Sequence, residues 1–287
     1  MASIQVQEAM PGFTFGADPE LFIMDDKGRY VTAEGLIPGT KAEPYKVEYG
    51  AVQVDGMAAE FNIDPVSTFV EFDRNITAVM RTLKNMLPRG YSLRAESAVT
   101  FDQEQWDLAP PEAKVLGCTP DFNAWTGDVN PPPNCDDKPT LRTASGHVHI
   151  GWTNGVDPFD ADHMTHCRDL VKQLDWYLGG WSLLQDDDPT RRLLYGKAGA
   201  MRFKPYGVEY RVLSNFWLKG TNSRRAVWNR MNAAIWKMSS DYLPDKWEPY
   251  QFNESLVQCI NTSTVNPYLF EQVATPLKRL PSIGANF

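Results

Sequence analysis

Phe69, Phe72, Ile76, Val79, Met80, Leu83 and Leu87 recur at helical spacing and predict an amphipathic helix over that stretch. Thr68 with Glu71 three residues on gives it a capping-box start, and Pro88 and Gly90 end it. Elsewhere the shorter apolar runs point to strands. Residues 13–32 read as two strands around Asp26-Lys27-Gly28, and 46–64 as a second extended pair stopped by Pro65. Single strands are expected over 91–101 and 145–152. The run 201–217 reads as two strands around Pro205-Tyr206-Gly207. Helices are predicted over about 159–184 and about 222–243, the second stopping at Pro244. A helical C-terminal extension over 245–287 is broken by Pro249, Pro267, Pro276 and Pro281.

Residues 107–140 break this rhythm, with seven prolines among Gly, Asn and Asp. A loop that long reads as a lid over the active site, a binding loop or a locally disordered segment. No internal repeat is visible. Strand pairs joined by hairpins, with helices between groups, predict an α+β fold. Its antiparallel β-sheet would have helices packed on its outer face, all within one domain spanning 1–287.

Composition narrows the function. The chain has 287 residues and a net charge of −8, with a pI near 5.1, which argues against a nucleic-acid backbone as partner. No run of about 18 apolar residues marks a membrane span, and the N-terminus lacks a signal-peptide pattern. A cytoplasmic location is expected, with no membrane partner. Cys118, Cys135, Cys167 and Cys259 form no CxxC and read as free thiols.

The chemistry concentrates in four short segments. Asp18 and Glu20 in GADPE are two apart, which on one strand puts both on one face, although Pro19 marks an edge or a strand start. Asp55 and Glu60 lie in VDGMAAEF, His147 and His149 in GHVHIG, and Glu209 and Arg211 in VEYR. Taken singly, these read as solvated strand faces, a core histidine beside a surface one, and a surface ion pair. Taken together, carboxylates set in apolar strands need cations between them. A carboxylate-rich set with one imidazole suits Mg²⁺ or Mn²⁺ better than Zn²⁺. Arg191, Arg192, Arg202 and Arg211, with Lys197 and Lys204, cluster in sequence around Glu209, and guanidinium groups clamp phosphate oxygens. Acids for metal and arginines for phosphate describe phosphoryl transfer. No GxxxxGK[ST] or GxGxxG occurs, so a nucleotide would not sit on a glycine-rich helix start.

In that order, GADPE, AAEF, GHVHIG and RFKPYGVEYR resemble the carboxylate–amine ligase superfamily of glutamine synthetase and γ-glutamate–cysteine ligase. The resemblance is closest to the compact phage-type COOH–NH₂ ligases and covers roughly residues 13–220. It implies a glutamine-synthetase-like open half-barrel and ATP with Mg²⁺ or Mn²⁺ as cofactors. The implied reaction is amide formation through an acyl phosphate, between small-molecule or peptide carboxylates and amines. Metal ligation falls to Glu20, Glu60, His147 and Glu209, with Asp18 and Asp55 as further candidates. His149 would lie near the transferred phosphoryl group, and Arg202 and Arg211 on phosphates or the acyl phosphate. Arg191, Arg192 and Lys204 complete the expected nucleotide contacts. The chain departs from the pattern with Asp-Pro-Glu in place of two glutamates, and with a short Asp55–Glu60 spacing. Relatives include rings and monomers, so an oligomer is compatible with the resemblance.

The second half-reaction needs a base, for which Asp121, Asp128, Asp136 and Asp137 are candidates. Two rival readings remain. One is a zinc hydrolase built from His147, His149, His163 and His166; the other is a catalytically inactive protein of the same fold. Trp176, Trp181, Trp217, Trp228 and Trp236 are expected in the core. Arg224, Arg225 and Arg230 are expected on a solvated helix face.

Overall fold

The computed structural model describes residues 6–114, 121–133, 137–186, 188–239 and 250–265. Cys118, Cys135, Asp136 and the expected breaks at Pro244, Pro249, Pro267, Pro276 and Pro281 lie outside them. Strands and helices combine into an α+β fold whose strand pairs are all antiparallel.

The first sheet has five strands. Its order is β1 (Thr14–Ala17), β11 (Val148–Gly151), β13 (Gly207–Tyr210), β12 (Ala200–Lys204) and β9 (Phe122–Asn123). The second runs β3 (Tyr30–Val31), β2 (Glu20–Met24), β6 (Ala58–Ile63), β5 (Gly50–Asp55) and β4 (Tyr45–Val47), and β7 (Ser92–Arg94) also pairs with β2. A small third ladder joins β8 (Ala98–Thr100) to β10 (Leu141–Thr143).

Helices cover one face of the sheets because alternate strand residues are apolar there. On β11 and β13, Val148, Ile150, Val208 and Tyr210 are fully buried in a core shared with Cys167, Leu170, Val171 and Leu174 of α4 (Ala161–Leu174). On the second sheet, Val52, Ala59 and Phe61 share that core with Phe69, Phe72, Ile76 and Val79 of α1 (Phe69–Met86). Thr68 caps α1 as its sequence predicts, accepting from the Glu71 N–H at 3.2 Å and donating its hydroxyl proton to the Glu71 carboxylate. Trp228 of α7 (Thr221–Ser239) ties the layers together, edge-on to Phe15 with centroids 4.7 Å apart and tilted against Phe72 at 5.5 Å.

Several expectations are corrected. Residues 13–32 form three strands rather than two, because Pro19 ends β1 and the chain re-enters another sheet as β2. The 107–140 segment is not a plain loop. It carries the end of α2 (Gln103–Leu108), α3 (Pro111–Lys114) and β9, which extends the first sheet. Trp181, Trp217 and Trp228 are core residues, while Trp176 and Trp236 are only partly buried against it. Arg224 and Arg230 are buried rather than solvated. Arg224 reaches Asp73 and the Leu218 carbonyl, and Arg230 lies over the Trp181 ring. Arg225 is half-buried over the Phe69 ring. The predicted 159–184 helix runs as α4, a π-helical turn Asp175–Gly179 and the short α5 (Gly180–Ser182). Then come α6 (Thr190–Leu194) and, after α7, α8 (Tyr250–Thr262). No helix among the described residues is long and apolar enough to cross a membrane.

Candidate active site

The site forms at the seam between the two large sheets. Past β1 the chain keeps alongside the segment leading into β11: Asp18 N donates to the His147 carbonyl at 3.4 Å, and Glu20 N to the Ser145 carbonyl at 2.9 Å. Pro19 has no N–H to place, and its carbonyl accepts from Phe61 N at 3.1 Å. The tripeptide therefore bridges the sheets. Asp18 joins His147 and Glu209 on the first sheet, while Glu20 joins Asp55 and Glu60 on the second. Asp18 and Glu20 do not share one group, contrary to their two-residue spacing, because the proline step separates the strands they would have shared.

Glu209 is the centre of the first group. On β13 it stands opposite His149 on one side and Arg202 on the other, and it is fully buried. Lys204 Nζ lies 2.8 Å from its carboxylate, Arg202 3.7 Å and His147 Nδ1 3.4 Å, and Arg211 donates to it directly. Burial and the nearby Asp18 would raise Glu209, but Arg211, His149 and His147 outweigh them and hold it at about 2. Burial and the Arg211 charge push His147 down to about 3, and its Nδ1 faces an Arg211 N–H at 3.3 Å. That imidazole is neutral, as a metal ligand must be. His149 behaves oppositely. Burial works against its charge, yet Asp18, 2.8 Å from Nε2, raises it, and its Nδ1 meets the Tyr206 hydroxyl. Burial likewise opposes the Asp18 charge, and the two imidazoles prevail to keep Asp18 well below the usual carboxylate range.

The second group is a hairpin product. Asp55 pairs with Ala58, and Gln53 with Glu60, so Asp55 and Glu60 are diagonal neighbours on one face of β5–β6. The short Asp55–Glu60 spacing, a departure from the family pattern, is the spacing that brings Asp55 in. Gln53 donates to Glu60 at 2.8 Å, Ser145 N to Glu20 at 2.8 Å, and Lys41 Nζ lies 2.7 Å from Asp55. Cations are scarce here. Burial and Asp55 push Glu20 up to about 7 despite the Ser145 N–H. Burial, then Asp18, Asp55 and Glu20, push Glu60 well above the ordinary range. An all-oxygen set with mutually repelling carboxylates fits a hard divalent cation, and the Asp18–His147–Glu209 set adds one imidazole.

Glu20, Asp55 and Glu60 of the second group and Asp18 and His147 of the first open on one cavity of about 150 Å³, whose wall also includes Lys41, Asp121, Ser145, Arg191, Arg202 and Arg211, while Glu209 is buried off that wall. Arg191 is fixed by donating to the Val212 and Arg211 carbonyls at 2.9 and 3.1 Å, and burial pushes its guanidinium down to about 10. Arg192 turns away, to Ser182 Oγ at 3.0 Å and towards Asp186 at 3.9 Å. Glu209, Lys204 and His149 are off the wall: Glu209 meets the wall residues Arg202, Arg211 and His147, Lys204 meets Glu209, and His149 meets Asp18. Of the candidate bases, Asp121 lines the cavity, 3.5 Å from Arg211 Nε, whereas Asp128 and Asp137 are exposed elsewhere.

The four histidines do not converge. His163 is buried on the helix side, with Nε2 2.9 Å from the Lys204 carbonyl, and His166 is exposed. Sequence reasoning missed Lys41, Ser145, Arg142 and Tyr206. Tyr206 lies in a turn already marked by Pro205 and Gly207. The other three carry no local signal, since only the fold brings them to the cavity. Arg142 lies over the Trp106 ring and is held by the Lys114 and Pro139 carbonyls. The chain matches no model of a known protein family, and no curated protein matches it in sequence.

Proposed function

We propose that this protein is an ATP-dependent carboxylate–amine ligase, of the phage-type kind its motifs resemble. The observation that carries the reading is a cavity at the seam lined by Asp18 and His147 of one group and by Glu20, Asp55 and Glu60 of the other, together with Arg191, Arg202 and Arg211. Phosphoryl transfer to a carboxylate calls for that combination, because one anion must approach another and negative charge then builds on the departing β-phosphate oxygen. The reading includes a glutamine-synthetase-like half-barrel and a cytoplasmic enzyme.

Glu20, Asp55 and Glu60 would hold one Mg²⁺ or Mn²⁺, and Asp18, His147 and Glu209 another. Metal bound there neutralises polyphosphate oxygens and polarises the γ-phosphoryl group. The chain's own groups do the rest. Arg202 and Arg211 face the cavity and stabilise charge on the transferred phosphoryl group. Glu209 holds Arg202, Arg211 and Lys204 in place. A substrate carboxylate oxygen attacks the γ-phosphorus, the bond to the β-phosphate oxygen breaks, and ADP leaves. An amine then attacks the acyl carbon, phosphate departs, and the amine loses a proton as the amide forms. His149, held between Asp18 and Tyr206, lies beside this chemistry.

The test is ADP release with Mg²⁺ or Mn²⁺ and hydroxylamine across a panel of carboxylic acids, with Glu209→Gln as control. Hydroxylamine converts an acyl phosphate into a hydroxamate without knowledge of the natural amine. Hydroxamate and ADP together, both lost in the variant, support the ligase and name its acid. Silence across the panel with zinc-dependent ester or amide hydrolysis overturns it, and silence in both assays favours an inactive protein of this fold.

A further inference from the structure

We infer that Lys41 is the displaceable counter-ion of the Glu20–Asp55–Glu60 group, exchanged for the divalent cation that binds there. This rests on the part of the functional reading that gives the group a metal. It does not depend on which reaction follows.

The geometry begins with the loop between β3 and β4. Gly39 has a φ of +90°, and a side chain there would collide with the Val52 carbonyl and the Tyr45 N–H. Its carbonyl accepts from Val54 N at 3.1 Å, one residue before Asp55, so the loop is fastened beside the acid it serves. A tight turn follows, with Thr40 N donating to the Glu43 carbonyl at 3.0 Å and Glu43 N to Thr40 Oγ1 at 3.1 Å. Lys41 leaves that turn with its ammonium 2.7 Å from Asp55 Oδ1. Its backbone is held and its head is placed.

Its side chain is nevertheless 53% exposed, while the Asp55 side chain is 24% exposed. An ammonium on a long exposed stem can swing into water at small cost, unlike a buried guanidinium. The three carboxylates each offer an oxygen within 4.8 Å of the others. A divalent cation among them must come close to the ammonium on Asp55, and two positive charges at that separation repel strongly. Mutual exclusion follows from occupancy of the same carboxylate. When the cation arrives, Lys41 leaves Asp55, and its exposed side chain moves along the cavity wall it already lines.

Binding of Mn²⁺ by isothermal titration calorimetry and by electron paramagnetic resonance of free Mn²⁺ tests this in the intact protein. Lys41→Met is expected to bind about tenfold more tightly than wild type, within the usual range of coupling between two linked sites. Lys41→Arg keeps the charge and is expected to stay within about twofold. Lys46→Met removes an equal charge from an exposed position on β4 and is also expected to stay within about twofold. A second measurement follows the lysine itself. After reductive ¹³C-methylation, which keeps the charge, the resonance missing in Lys41→Arg should move when Mg²⁺ is added.

Unchanged or weaker Mn²⁺ binding in Lys41→Met overturns the inference, as does equal tightening in Lys46→Met. Wild type that binds Mn²⁺ with an unmoved Lys41 resonance also overturns it, leaving the metal site intact. No Mn²⁺ binding in any variant removes both this inference and the metal assignment of the proposed function.

Discussion

Glu20 and Glu60 stand directly opposite each other across the β2–β6 ladder, so two carboxylates share one face of adjacent strands. Like charges in that relation destabilise a sheet unless a cation lies between them. Folded Glu20 titrates near 7 against an ordinary 4.5, and Glu60 is raised in the same direction. Their contribution to stability is fully present below pH 4.5 and is lost as pH rises through 7. The metal-free protein should therefore melt at a lower temperature at pH 8 than at pH 5.5. Added Mg²⁺ should raise the melting temperature more at pH 8, where no proton must be displaced. Calorimetry with and without chelator reads both; an equal Mg²⁺ shift at the two pH values would refute the cation-deficient group.

Glu209→Gln should abolish ADP formation and also weaken the fold. The substitution leaves Arg211, Lys204 and Arg202 around a neutral amide in a fully buried position. A loss of about 3 kcal/mol is expected in urea unfolding, as when one partner is removed from a buried charged network. A variant as stable as wild type would mean the cations find other partners.

Arg192 and Arg202 should separate cleanly. Arg192 is buried against Ser182 and Asp186, so Arg192→Met should lower stability with little change in KM for ATP. Arg202 faces the cavity with a partly exposed side chain, so Arg202→Met should raise KM for ATP or lower kcat at nearly unchanged stability. The reverse pattern would place the phosphate site on the other side of β12.

Asp175 is an unmarked residue in a helical stretch of the sequence, yet it holds the first sheet from behind. Its carboxylate accepts from Trp125 Nε1 at 2.6 Å, Gly199 N at 2.7 Å and Tyr210 OH at 2.7 Å. Asp175→Ala would strand three donors in the core and should cost about 2–4 kcal/mol, measured by chemical denaturation. Asp175→Asn should recover part of it; an alanine variant of wild-type stability would show that water replaces the carboxylate.

Much of this architecture is legible in the chain. The α1 helix follows from seven apolar positions and a Thr–Glu start, and the histidine and Glu-x-Arg strands from alternation. The acids set in apolar strands gather at the seam, Asp18, Glu20, Asp55 and Glu60 on the cavity wall and Glu209 buried beside Asp18 and His147. Less visible is how they divide. Asp18 and Glu20 look like one pair until Pro19 sends the chain from one sheet to the other, which only the pairing of β1 with β11 and β2 with β6 decides. Arg191 and Arg192 are adjacent letters on a short helix, but their side chains leave in different directions, one to the strand carbonyls and one to Ser182. Lys41 sits in a polar loop whose composition says nothing of Asp55.

The Asp18-Pro19-Glu20 step also acts as a ruler. The two acids that anchor the two groups are separated by two peptide units, which limits their Cα separation to about 7 Å. Proline at the middle removes one soft dihedral from that short link. Sliding one sheet past the other would have to drag both charge centres along with it. Covalent bonds thus cap the Cα separation of the two acids whatever the packing does, and that cap survives loosening of the surrounding core.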